Sequence, residues 1–313
     1  MPEPRNVVVV LPPVTLATVD DPISVHVEDE PSHLVVIESG THRAHPARAA
    51  LAILSALIAA FSVFLFVGSG LSGQRDQVAR DRELRAALAI GKARIGGTIP
   101  VGTPIAILRI PSLGIRQVVA EGSTAGVTLG GAGHVRATPI PGQAGNSVIV
   151  ARRSTFGAPF RAIGSLERGD RITVTTGQGR AVYRIDSTGT APPDDPSIFA
   201  TTSRRGRLTL LTADPPLRAS RYVIARARLV TPPAASTPHP QSIGAAETGL
   251  TGEGSGLWAL VGGLVVLLLA GTGGAWLFLR WRPWSAYIVV VPVVIAGCWI
   301  VFETAARLLP ATI

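Results

Sequence analysis

Sulfur is almost absent from this chain, whose 313 residues include one cysteine and one methionine. A lone cysteine, Cys298, excludes a disulfide within the chain, and its place inside an apolar run assigns it to packing. Lysine is nearly absent too. Of the 29 basic residues only Lys92 is a lysine, a preference that reads as a GC-rich, actinobacterial-like coding bias. Aromatic residues make up 5%. There is no RNP-like aromatic run, zinc-ligand spacing or basic helix, so a nucleic-acid binder is not expected. No cofactor, metal site or internal repeat is expected either.

Apolar residues, by contrast, reach 47%, with a mean hydropathy of +0.37. Three stretches carry no charge: between Arg48 and Arg75, between Glu253 and Arg280, and between Arg282 and Glu303. Each meets the roughly 20 residues that a helix needs to cross a bilayer core. They predict transmembrane helices over residues 49–74, 256–279 and 283–306. Trp258, Trp276, Trp281, Trp284 and Tyr287 stand near the ends of the last two, as interfacial aromatics do. The short loop "RWRP" favours the cytosolic side. That placement puts residues 1–48 in the cytosol as a tail and residues 75–253 outside a multi-pass cell membrane protein.

Between the expected spans the character of the chain changes twice. Residues 75–98 are charged and helix-favouring, which predicts a helical stalk. Residues 233–255 are rich in Pro, Gly and Ser and read as an extended, mobile linker. The intervening 99–232 hold 17 Arg against 7 Asp or Glu. A cationic domain of this kind favours anionic envelope components or lipid headgroups.

Within 99–232 seven short β-branched runs succeed one another: "PIAILRI", "IRQVVAEG", "NSVIVAR", "DRITVTT", "AVYRIDST", "GRLTLLTA" and "RYVIARARLV". Turn chemistry such as "PSLG", "PGQAGN" and "GQGR" separates them. Even strand spacing predicts an all-β barrel or sandwich. The sixth run ends in "LLTADPP", where a strand stops at a tight turn. Such strand ends commonly present a nucleophile, yet here the last position is Ala213.

The blocks "GAGHVRATPIPGQAGNSVIVARRSTFGAPF", "LERGD", "LTLLTADPP" and "RYVIARARL" resemble, in order and spacing, the sortase family of cell-wall transpeptidases of Gram-positive bacteria. The resemblance covers roughly residues 100–230. It implies a membrane-anchored, sortase-like eight-stranded β-barrel beside the three transmembrane α-helices. It also implies a reaction in which a cysteine thiolate attacks a Thr–Gly carbonyl of a sorting signal. A histidine moves protons and an arginine stabilises the oxyanion. Carried over position by position, the cysteine falls on Ala213, the histidine on Arg152 and the arginine on Arg221. Only the arginine is retained.

A methyl group cannot attack, and a guanidinium has no acceptor capacity with which to shuttle a proton. The resemblance therefore implies a pseudoenzyme with a sortase-like groove, for which His134, Arg153 and Thr212 are further lining candidates. Arg152, Arg153 and Arg221 together predict a cationic cleft for a carboxylate or phosphate. The partners expected are the lipid bilayer and a sorting-signal peptide, a cell-wall component or an active sortase. Two other readings stay open: an active transpeptidase or hydrolase using non-standard groups, and a structural partner of an active sortase. The chain also ends "LLPATI", whose "LPAT" is similar to a sorting signal; without the following glycine, apolar tail and basic stop, coincidence is the expectation.

Overall fold

A computed structural model describes residues 55, 58–200, 205–216, 220–238, 247, 256–280 and 283–313. The expected tail over 1–48 lies outside the described residues, as do 49–54 of the first expected span and 239–246 and 248–255 of the linker.

A π-helical turn, Phe64–Gly68, leads into the helix α1, Ser69–Ala89. The strands are β1 (Pro104–Ile110), β2 (Ile115–Glu121), β3 (Ala132–His134), β4 (Asn146–Val150), β5 (Arg171–Thr176), β6 (Gly179–Ala191), β7 (Arg207–Asp214) and β8 (Arg221–Leu229). They close a barrel in the order β1-β2-β3-β4-β7-β8-β6-β5. Two contacts are parallel, β2 with β3 and β4 with β7. Parallel neighbours require a crossover, and between β2 and β3 that crossover carries the short helix α2 (Ala125–Leu129). The seven β-branched runs correspond to seven of the eight strands. The eighth, β3, is the three-residue "AGH", which owes its strand form to pairing on both sides.

Residues alternate between two apolar clusters along β4 and β7. Ile149 and Leu210 enter the barrel interior with Leu108, Ile172, Tyr183 and Ala225. Val148, Val150 and Leu211 face outward, where Tyr222, Ile224 and Ile198 cover them. Because both faces are buried, these strands read as continuous apolar runs rather than alternating ones. Each fully buried Ile or Leu contributes about 1.5–3 kcal/mol to holding the strand ends in place. The Tyr183 hydroxyl accepts a 2.6 Å hydrogen bond from the Gly142 amide, and burial pushes its pKa up.

The charged segment expected as a stalk is helical, but as α1 it lies along the barrel. Leu84 and Leu88 pack on Ile107 and Val118. The Gln77 side chain accepts from the Val118 amide at 2.7 Å and donates to the Gly130 carbonyl at 2.6 Å. Arg116 pairs with Asp81 at 2.6 Å. Part of the expected linker is held as well. Ala234 bridges to Gln143, and Glu247 receives the Arg136 guanidinium at 2.8 and 3.2 Å.

Two further helices complete the chain, α3 (Gly256–Arg280) and α4 (Pro283–Ala306). They pack against one another. Among the described residues no helix is long and apolar enough to cross a membrane. The three spans expected from sequence thus find no support in the described helices.

Candidate functional site

The site lies where β4, β7 and β8 end together. Ala213 is the penultimate residue of β7 and is fully buried. Register places it opposite Tyr222, and places Asp214 opposite Arg221. The strand then stops at a cis Asp214–Pro215 peptide bond. Thr212 is also buried, and its hydroxyl donates to the Ala151 carbonyl at 2.7 Å. It faces packed protein rather than an open groove.

Past β4 the chain turns sharply. Phe156, Gly157 and Ala158 have φ of 53°, 80° and 45°, three successive left-handed residues. For Phe and Ala that conformation costs on the order of 1–3 kcal/mol each. The bonds holding it are Phe156 N–H to Ser69 Oγ at 2.9 Å, Ala158 N–H to the Thr155 carbonyl at 2.9 Å and Phe160 N–H to the Arg152 carbonyl at 3.1 Å.

Arg152 is the largest fully buried side chain here. It donates to Thr155 Oγ1 at 3.1 Å and reaches the Ala125 and Ala306 carbonyls at 3.5 Å. Its guanidinium sits 5.1 Å from the Phe156 ring centroid. Nε–H has no partner, and no carboxylate lies within ion-pair distance among the described residues. Burial drives its pKa down to about 9. The expectation that Arg152 lines a cationic cleft is corrected: the side chain is completely buried against Thr155, the Phe156 ring and the Ala125 and Ala306 carbonyls.

Arg153 and Arg221 are not free cations either. Asp214 accepts from Arg153 at 2.9 Å through one oxygen and from Arg221 at 3.2 Å through the other. Arg153 also donates to the Ala213 carbonyl at 2.7 Å, so one side chain spans the last two residues of β7. Sequence reasoning missed Asp214, although it directly follows Ala213; its role depends on the β7–β8 register.

His134 is buried at the end of β3, away from these groups in the hydrogen-bond network. Nδ1 meets Glu121 at 3.0 Å, and Nε2 meets the Pro139 carbonyl at 3.0 Å. A carbonyl only accepts, so Nε2 carries a hydrogen. Both ring nitrogens are thus engaged, and His134 orders the turn into β4 through Thr138, whose hydroxyl lies 3.2 Å from Nε2 and accepts from the Val148 amide at 3.1 Å. Glu121 was missed in the sequence, because only the parallel β2–β3 pairing brings it opposite His134.

The hydroxyls near Ala213 are likewise committed. Ser154 donates to the Pro216 carbonyl at 2.8 Å, and Thr155 accepts from Arg152. Neither contacts an imidazole or a carboxylate in these bonds. Among the described residues the groups around Ala213 are engaged in holding backbone and carboxylate partners in place.

Residues 108–230 match the family model of the sortase domain. Sortase D of Bacillus subtilis is 31% identical over 114 residues, 36% of this chain and 56% of that protein. Sortase SrtE1 of Streptomyces coelicolor is 37% identical over 101 residues, 30% of this chain and 29% of that protein. The chain thus spans little more than half of one curated relative and under a third of the other. Among solved structures, a Clostridium perfringens sortase D5 transpeptidase aligns with a TM-score of 0.45 and 25% identity, over 51% of this chain and 99% of that one.

Proposed function

From the sortase-like domain that residues 108–230 form, we propose a non-catalytic protein that binds a peptide segment at the old substrate site without processing it. The observation that carries this is the pairing of a buried methyl at Ala213 with a buried guanidinium at Arg152. Acyl transfer needs a nucleophile and a group that can accept its proton. Neither position offers one, and removing such a unit costs on the order of 10⁶ in turnover. What supports peptide binding is that the amides of Arg153, Ser154 and Thr155 donate to backbone oxygens of another chain segment, beside the Arg153 bridge to the end of β7.

We also propose that the protein is membrane-anchored with the barrel outside the cell. Support comes from the uncharged stretches of the sequence; the exposed apolar side chains of α3 and α4, among them Leu257, Trp258, Val266, Leu268 and Ile295, offer a surface for lipid, although no described helix is long and apolar enough to cross a membrane. A surface this apolar calls for lipid or a partner rather than water.

The test uses the full chain in detergent with a quenched sorting-signal peptide. The expected result is saturable binding, weakened by Arg153→Ala, with no cleavage. Turnover that disappears in Arg221→Ala would establish an active enzyme with non-standard groups and overturn the proposal.

A further inference from the structure

Residues 310–313 deepen this reading, because they already occupy the loop after β4. They form a tight turn closed by a 3.2 Å bond from the Ile313 amide to the Pro310 carbonyl. The turn offers its carbonyls to three successive amides: Arg153 N–H to Thr312 O at 3.0 Å, Ser154 N–H to Ile313 O at 3.0 Å and Thr155 N–H to Ile313 O at 3.2 Å. Ala311 and Thr312 are fully buried, and Ile313 is nearly so. The Ser154 and Thr155 amides converge on one oxygen, and such successive amides form a concavity that favours an acceptor oxygen.

The approach to this turn is packed rather than loose. Ala306, at the end of α4, joins Phe64, Leu129 and Phe156 in one apolar cluster. Phe64 meets Trp299 edge-on at 5.0 Å and Phe156 at 6.2 Å. Under the turn lies Arg152, reaching the Ala306 carbonyl. Arg153 belongs to both halves, since its amide holds Thr312 while its guanidinium holds the Ala213 carbonyl. The segment "LPAT", expected as coincidence, is thus the segment seated beside the strand end of β7.

We propose that the amides of Arg153, Ser154 and Thr155 form a peptide-carbonyl site whose resident occupant is the chain's own residues 310–313, a plug in cis. A peptide of the same kind then binds in trans only where the plug is out. This rests on the proposed reading for the site's location, but not for its inactivity.

Effective concentrations of tethered segments are on the order of millimolar. A free peptide that binds the emptied site with a Kd of about 10 μM therefore faces roughly 100-fold competition in the intact chain. The experiment compares the full chain in detergent with a deletion of residues 310–313 and with Ala311→Arg, whose side chain has no room in a fully buried position. Hydrogen exchange of amides 153–155 is read beside that of amides 146–150 in β4, and binding of the acetylated heptapeptide of residues 307–313 is measured. Both variants are expected to speed exchange at 153–155 at least tenfold, leave β4 protected, and bind the heptapeptide at least tenfold more tightly than the parent. Equal exchange at 153–155, equal or absent heptapeptide binding, or loss of β4 protection in both variants each overturns the plug. Cleavage of the quenched sorting peptide by the deletion variant would instead overturn the non-catalytic reading and leave the plug standing.

Discussion

Replacing Arg152 by methionine is expected to stabilise this protein. The side chain is completely buried with no carboxylate beside it among the described residues, and burial lowers its pKa from 12.5 to about 9. At roughly 1.4 kcal/mol per unit, keeping the guanidinium charged in that place costs on the order of 5 kcal/mol. Against this stand a charged hydrogen bond to Thr155, about 1.5–3 kcal/mol, and the Phe156 ring contact, about 1 kcal/mol. The contacts to Ala125 and Ala306, at 3.5 Å, add little. Methionine fills an unbranched cavity and keeps a favourable sulfur contact with Phe156. The net gain for Arg152→Met is about 1–2 kcal/mol near neutral pH, a rise in Tm of about 3–6 °C. Arg152→Ala, which leaves a cavity, is expected to lose about 2–4 kcal/mol instead.

The pH dependence separates this cause from simple packing. A base whose folded pKa is lowered binds fewer protons when folded than when unfolded, between its folded and unfolded pKa values. Stability of the parent therefore rises with pH above about 9, by roughly 1.4 kcal/mol per unit. The advantage of Arg152→Met is flat below about pH 8 and shrinks from pH 9 upward. Intrinsic tryptophan fluorescence of the full chain in detergent, melted at pH 7, 9 and 10, reads both effects. A methionine variant that melts below the parent by the same margin at every pH refutes the reasoning, because the guanidinium would then be paired and stabilising.

Glu121→Gln and His134→Gln each break a buried pair and are expected to lose about 3–5 kcal/mol in urea unfolding, while the double variant loses less than their sum; strict additivity would show that the 3.0 Å contact carries no coupling. Asp214→Asn removes the shared acceptor of Arg153 and Arg221. It is expected to lower the Kd for inorganic phosphate at least tenfold, measured by calorimetry, and an unchanged Kd would show that these arginines do not face a common anion site.

What could be read of the fold came from local chemistry. Seven strands announced themselves through β-branched runs, whereas Ala213, Arg152 and Arg221 were singled out by the family resemblance rather than by local chemistry. The strand β3 was not legible, since Ala-Gly-His has no propensity of its own and is held by two neighbours. The charged surface of the segment carrying α1 predicts a stalk, yet Gln77, Arg80 and Asp81 use that polarity to bind Gly130, Val127 and Arg116 of the barrel domain. The burial of Arg152 was beyond local reading, because part of its cover comes from Ala306, about 150 residues away in sequence.

These particulars bear on why the site is closed. The loop after β4 holds Phe156 and Ala158 in left-handed conformations, a combined strain on the order of 2–6 kcal/mol. Its own bonds to Ser69 and Thr155 offset only part of that, at roughly 0.5–1.5 kcal/mol for each neutral hydrogen bond. The three amide bonds to residues 312 and 313 contribute a similar increment each and lie directly before the strained residues, with Thr155 shared by both sets of bonds. The plug and the strained turn therefore support one another across Arg152: a ligand that takes over the amides must also hold the turn. A peptide supplying two carbonyls at that spacing meets the condition, whereas a compact anion held by Arg153 alone does not.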